Sequence, residues 1–143
     1  MIPKKKPKPK LPSLTSLITK ADNLTSRYIR QKYADEHGMV KCCSCETVLH
    51  WKGMHCAHWV GRSAKAVRWD ERNLAPACPA CNVYRKEAHS REYTLFQLDR
   101  YGREGIEEIK ADSRKVLRGT EVRMLAEEAI EYYSTQLKGL KWN

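Results

Sequence analysis

The sequence predicts an α+β chain in which a small, cysteine-stapled core is flanked by N- and C-terminal helices. Two observations carry this. Apolar residues recur at helical spacing near both ends of the chain but not in its middle. The middle instead holds two C-x-x-C pairs, Cys42/Cys45 and Cys78/Cys81, with 32 residues between them. Each pair sets two thiolates on one tight turn, and two such turns complete a tetrahedral zinc site with sulfur at about 2.3 Å. The cysteines therefore read as ligands of a structural Zn²⁺. A length of 143 residues suits one domain. The expected organisation is a basic arm over 1–12, disordered, then a single domain over 13–143. Within that domain a helix covers 13–37, the stapled core 40–90 and a helical tail 91–143.

Each element has its own signal. Ser13 or Thr15 can cap a first helix running to about Glu36, in which Leu17, Ala21, Leu24 and Tyr28 share one face and Gly38 marks the stop. Val48–Trp51 and His55–Val60 read as two short strands joined around Lys52 and Gly53. A short helix is expected from Pro79, with Cys81, Asn82 and Lys86 on one side. Tyr93–Tyr101 reads as a helical segment ending at Gly102, and Ile106 and Ile109 seed another. Thr120 can cap a last helix with an apolar stripe of Val122, Leu125, Ala129, Tyr133 and Leu137. That stripe serves either as core or as the seam of a homodimer.

Charge narrows the classes of function. Lys and Arg number 27 against 17 Asp and Glu, a net +10, and five lysines (Lys4, Lys5, Lys6, Lys8, Lys10) lie among prolines in the first ten residues. Such a segment repels itself and cannot form a helix. The rest remains basic without it, which points to a polyanion, most commonly nucleic acid. No apolar run approaches the ~20 residues that span a bilayer. No apolar leader follows Met1, so no membrane partner and an intracellular, reducing location are expected. There, paired cysteines hold metal more often than disulfides. Cys43 and Cys56 fall outside the zinc set. Cys43 reads as a bystander in the knuckle, and Cys56 either as a small buried residue or as a neighbour of a second metal.

A second series lies inside the stapled stretch. His58 is followed fifteen residues on by Asn73, and Asn82 comes nine later, directly after Cys81. A histidine ending a strand, an asparagine on the connecting loop and a ligand on the following helix resemble the arrangement of the HNH nucleases. This is the ββα-metal fold, here in the variant with Asn in the last position. The resemblance implies that His58 takes a proton from water beside a phosphodiester and that Asn73 orients the hairpin or the imidazole. Asn82 would hold a divalent ion that stabilises the phosphorane. An oxygen donor favours Mg²⁺ or Mn²⁺ over a second zinc.

The likeness sharpens between these points. Ala57-His58-Trp59, Arg62, Val67 to Leu74 and Cys78-Pro79-Ala80-Cys81-Asn82 are similar to the phage NinG family, the lambda Rap type of recombination endonuclease. The similarity continues through Tyr93–Gly105 and Ile106–Ile109 and covers roughly residues 20–138. It implies a metal-dependent DNA endonuclease for branched recombination intermediates, D-loops and Holliday junctions, leaving 5′-phosphate and 3′-hydroxyl ends. A phage-type protein of this kind would work in the cytoplasm of the host cell. Cys42, Cys45, Cys78 and Cys81 match the zinc positions, and His58 the base. Asn73 matches the middle asparagine, and Asn82 the metal ligand. The chain departs from the family where an acidic residue would stand three before the base. His55 stands there, as a replacement ligand. In place of a further cysteine-rich N-terminal segment it has the lysine–proline arm.

Arg62, Lys65, Arg68, Arg72, Arg85 and Lys86 surround the series and are the candidate DNA-binding residues. Trp59 either stacks on a base or closes the hairpin core. Two other readings compete with a branch-specific enzyme: a site-specific or nonspecific HNH nicking endonuclease, and a non-catalytic zinc module that binds nucleic acid.

Overall fold

The computed structural model describes residues 1–142. Residues 1–12 form neither helix nor strand and are exposed throughout. Helix α1 (Leu14–Lys32) starts at Ser13, whose hydroxyl accepts the Ser16 N–H at 3.1 Å. It buries Leu17, Ala21, Thr25, Tyr28 and Ile29. The helix stops short of the expected 37. The Asp35 carboxylate accepts the N–H groups of His37 and Met39, both at 2.9 Å, and so closes a turn there. Gly38 follows in the left-handed region, at φ 80°.

Two antiparallel two-stranded sheets come next. Strand β1 (Met39–Lys41) pairs with β2 (Val48–His50), with Val40 opposite Leu49. Strand β3 (His55–His58) pairs with β4 (Leu74–Ala77), with His55 opposite Ala77 and His58 opposite Leu74. The hairpin expected between residues 48–51 and 55–60 does not form. Residues Trp51–Gly53 make a 3₁₀ turn that carries the chain from one sheet to the other. The physical reason is burial: Cys56 and Ala57 are enclosed on opposite faces, and β4 is buried at every position. Pro76 fits in β4 because a two-stranded sheet is all edge and needs no second row of N–H donors.

After β4, residues Ala80–Tyr84 form one wide π-helical turn. Helix α2 (Lys86–Ser113) then runs past Gly102, where the sequence places a stop. The break is real but takes the form of a kink, at φ 67° and ψ 178°, with helix on both sides. Helix α3 (Gly119–Lys138) begins one residue before the expected Thr120 cap and has no side-chain cap.

Period two along β3 and β4 divides the interior. Cys56 and Leu74 point into a cluster with Leu17, Ala21 and Ile29 of α1 and Val122, Ala126 and Tyr133 of α3. Ala57, Ala75 and Ala77 point into a second cluster with Cys42, Cys78, Cys81 and Tyr93. The α3 stripe is therefore an internal face covered by α1. Ala126 occupies the buried position expected for Leu125, which lies half-exposed beside it. Among the described residues no helix is long and apolar enough to cross a membrane.

Gly38 tests the turn before β1. A Cβ there would meet His50 Nε2 at 2.7 Å in a backbone conformation that L side chains rarely adopt. Gly38→Ala is expected to lower stability by about 1–3 kcal/mol, read as a shift in urea midpoint at constant slope.

Candidate metal centre and active site

The knuckle between β1 and β2 presents Cys42 and Cys45, and the end of β4 presents Cys78 and Cys81. All four sulfurs lie within 4.8 Å of one another. Glu46, at φ 64°, turns the chain back beneath Cys45. The backbone N–H groups of Cys78 and Ser44 donate to Cys42 Sγ at 3.2 and 3.4 Å. The Cys42 thiol is lowered to about 3, chiefly by the Cys43 thiol, with those amides assisting against burial. Burial pushes Cys78 up and Cys81 up to about 12. Four converging sulfurs, two of them costly to ionise without a cation, fit tetrahedral Zn²⁺ as the sequence predicts. Cys43 lies outside the set; its N–H donates to Pro76 O at 2.9 Å and ties the knuckle to β4. Cys56 is a buried core residue on the α1 side, with its thiol pushed up to about 12 by burial.

His55 and His58 are three apart on β3, so their side chains leave opposite faces. His55 lies on the face shared with the cysteine cluster, and its Nδ1 accepts from the Asn82 amide at 3.1 Å. The structure thus brings Asn82 and His55 together. His58 lies on the α1 face, at a cavity of about 10 Å³ lined by Asp22, Thr25, Ser26, Cys56, Arg62 and Trp69. Its Nε2 lies 2.9 Å from the Arg68 carbonyl. A carbonyl only accepts, so Nε2 carries the proton and Nδ1 keeps a lone pair. Burial, then the Arg62 charge, lowers His58 to about 4, against the opposing pull of the Arg68 carbonyl and Asp22. The imidazole is neutral at physiological pH.

Asn73 is fully buried and touches no imidazole. Its Oδ1 accepts Val60 N–H at 2.7 Å, and its Nδ2 donates to Val60 O at 2.9 Å and Val67 O at 3.1 Å. It clamps both ends of the β3–β4 connection and acts through the backbone. Trp59 is committed as well: its indole donates to Thr94 of α2 at 3.1 Å, which makes it a core closure.

The six basic candidates divide. Arg62, Arg85 and Lys86 are exposed and Lys65 is half-buried. Arg68 and Arg72 are both paired with carboxylates of the fold, Arg68 buried and Arg72 half-exposed. Arg68, 9% exposed, binds both oxygens of Asp22 at 2.9 and 2.6 Å. Arg72 pairs with Asp70 at 2.6 Å and Asp112 at 2.8 Å, which raises its pKa further. Sequence reasoning misses three residues. Asp22 and Thr25 line the His58 cavity, and Tyr84, 83% exposed, stands between Asn82 and the Arg85–Lys86 pair. Only Tyr84 has a local signal, its adjacency to that motif.

The profile of the family described as "Bacteriophage Lambda NinG protein" matches residues 3–142. The chain belongs to the NinG family. NinG relatives include Protein ninG of Salmonella phage P22, 27% identical over 100 residues, which is 68% of this chain and 46% of that one. Protein ninG of Escherichia phage 933W and of Enterobacteria phage VT2-Sa match with the same figures. The chain spans about half the length of these curated NinG relatives. No solved structure matches it.

The metal centre is testable directly. The purified chain is expected to hold one zinc by elemental analysis, and Cys45→Ser or Cys81→Ser to lose both the metal and cooperative unfolding. Cys56→Ser should keep the zinc, at a stability cost of about 1–3 kcal/mol for the buried hydroxyl.

Proposed function

We propose that this NinG protein is a divalent-metal-dependent DNA endonuclease of the HNH type, with its active site on strand β3 and the turn after Cys81. The observation that carries the reading is the state of His58. A neutral imidazole, its proton tied to a backbone carbonyl on one nitrogen and a lone pair on the other, is a general base in waiting. His58 would take the proton of an attacking water at Nδ1. With the hydrogen bond between them opened, Asn82 and His55 would supply one amide oxygen and one imidazole nitrogen, a donor set that suits Mg²⁺ or Mn²⁺ with water and phosphate oxygens filling the remaining positions. A bound ion there would stabilise the pentavalent phosphorus and the departing 3′ oxygen.

The order strand, connection, strand, helical turn, with β3 and β4 as its strands, supports reading this region as a ββα-metal core. Among the described residues no strand pairs with the outer edge of β3. A phosphodiester reaching that edge would have His55 and Asn82 on one face of the strand and His58 on the other, and the small cavity at His58 would have to open toward it. Arg62, Lys65, Arg85 and Lys86 hold the flanking phosphates, and the five arm lysines add sequence-independent affinity. Tyr84 stacks on an unpaired base of a branch. Branched recombination intermediates are the proposed substrate in the host cytoplasm, on the family resemblance. One observation favours a non-catalytic zinc module that binds nucleic acid instead: strand alternation sets His58 and the His55–Asn82 pair on opposite faces.

Cleavage of a labelled four-way junction, linear duplex and single strand in Mg²⁺, Mn²⁺ and EDTA separates these readings. His58→Ala should lower the rate by roughly 10²–10⁴ while zinc content and DNA binding persist. Binding without cutting in any metal leaves the module. His55→Ala should raise the Mg²⁺ requirement roughly tenfold or more; no change would remove His55 from the ion site.

The pH dependence has a definite sign. His58 in the folded chain lies below its unfolded value, so the stability tied to its neutral form is complete above about 6.5 and lost as pH falls toward about 4. The acid limb of kcat/KM assigned to His58 should likewise fall near pH 4, leaving the rate flat on its account between pH 6 and 8. Replacing the five arm lysines with alanine should flatten the salt dependence of duplex binding by roughly 0.9 in log–log slope for each phosphate that the arm neutralises.

A further inference from the structure

We propose that Asp22, on α1 and outside the strand–helix core, is a positioning residue for His58. It anchors the Arg68 segment so that the Arg68 carbonyl holds the imidazole with its proton on Nε2 and its lone pair on Nδ1. This rests on the reading of His58 as the base.

The path from Asp22 to the imidazole is short. Asp22 Oδ1 accepts from Arg68 Nε at 2.9 Å and from Trp69 Nε1 at 2.8 Å, and Oδ2 accepts from Arg68 Nη2 at 2.6 Å. Arg68 also donates from Nη1 to Arg62 O at 3.3 Å, which closes the loop on itself. The next link is Arg68 O to His58 Nε2 at 2.9 Å. On either side of Arg68 the backbone is held by other groups: Val67 O by Asn73 and Trp69 O by the Tyr133 hydroxyl at 2.5 Å. Among the described residues Asp22 is the one carboxylate paired with the Arg68 guanidinium.

A guanidinium buried to this degree is costly without its counter-ion. Loss of the Asp22 charge therefore drives the Arg68 side chain toward solvent, and the Arg68 peptide, no longer anchored through its own side chain, relaxes between the two flanking carbonyls that stay held and weakens its bond to the imidazole. The two neutral forms of an imidazole differ little in intrinsic stability, so the hydrogen bond decides which nitrogen holds the proton. With the carbonyl displaced, Nδ1 becomes protonated in part of the population and that part cannot act as base. Burial pushes the Asp22 carboxyl up, but the Arg68 and Trp69 hydrogen bonds outweigh it and hold it below its usual range. The anchor is thus charged wherever the enzyme would work. The remaining ionisable neighbours of the imidazole are Arg62 on the loop and Cys56 on its own strand.

The test is ¹⁵N NMR of the His58 ring in the zinc-loaded full chain near neutral pH, run beside junction cleavage. The wild type should show a protonated Nε2 and a bare Nδ1. Asp22→Asn keeps the shape and an acceptor for Trp69. It should populate the Nδ1-protonated form several-fold more and lower kcat about tenfold, with KM and zinc content unchanged. Asp22→Glu should recover part of both. A wild-type proton on Nδ1, or an Asn variant with unaltered tautomer ratio and kcat, overturns the proposal. Should Asp22→Ala fail to fold, the wild-type and Asn spectra still decide. A tautomer shift in a chain that cuts no DNA in any metal supports the Asp22–His58 coupling and sinks the nuclease reading.

Discussion

Four sulfurs drawn within 4.8 Å are the constraint on which the rest of this chain depends. They come from two turns far apart in sequence, so a metal held across them would close the stretch between into a loop whose ends cannot separate. Strands of three and four residues would not persist alone. Inside such a loop the entropic cost of pairing β3 with β4 would be largely removed, because the metal would pin the end of β4 at Cys78. The Cys43–Pro76 hydrogen bond adds a second tie at the same place. Asn82 follows Cys81 directly, so the same turn that presents Cys78 and Cys81 also sets Asn82 against His55.

The hairpin then acts as a partition. One face belongs to the cysteine cluster and Tyr93, the other to α1 and α3. Tyr93 reaches through to the backbone, donating to Ala57 O at 3.0 Å and Asn73 O at 3.2 Å, so α2 holds both strands where they enter the connection. The connection itself, residues 59–73, has little regular structure, yet its carbonyls are taken by Asn73, Tyr133 and His58. A loop whose polar groups are satisfied from three elements is rigid for reasons that have nothing to do with secondary structure. That rigidity keeps the Arg68 carbonyl against the His58 imidazole.

What can be read from the sequence follows the range of each interaction. The C-x-x-C pairs are legible because each is a local turn with fixed chemistry, and the Ser13 cap for the same reason. The helix end at Lys32 is not, since it is decided by an Asp35 turn that competes with a continuing helical pattern. Strand pairing is misread because His55–His58 is buried on both faces and shows no alternation, so the nearest strand looks like its partner. Arg68 and Arg72 look like surface charges because the carboxylates that bind them lie elsewhere: Asp22 is 46 residues from Arg68, and Asp112 is 40 from Arg72. The α3 stripe can be read as apolar, but only the placement of α1 shows what covers it.

The division of charge has a further consequence for how a polyanion would approach. Arg68 and Arg72 are held by carboxylates of the fold, Arg68 buried against Asp22 and Arg72 half-exposed between Asp70 and Asp112, and both order the connection. The positive charge left near the hairpin comes from Arg62, Lys65, Arg85 and Lys86, which flank β3 and the turn after Cys81, while the arm lysines lie at the far end of α1. Positioning and attraction are therefore carried by different residues. Exposed charges are screened within about 8–10 Å at physiological salt, whereas the buried Asp22–Arg68 pair is screened far less. Rising salt should weaken the pull of these exposed charges on any polyanion while leaving the His58 environment intact, a separation that a site built from shared arginines could not provide.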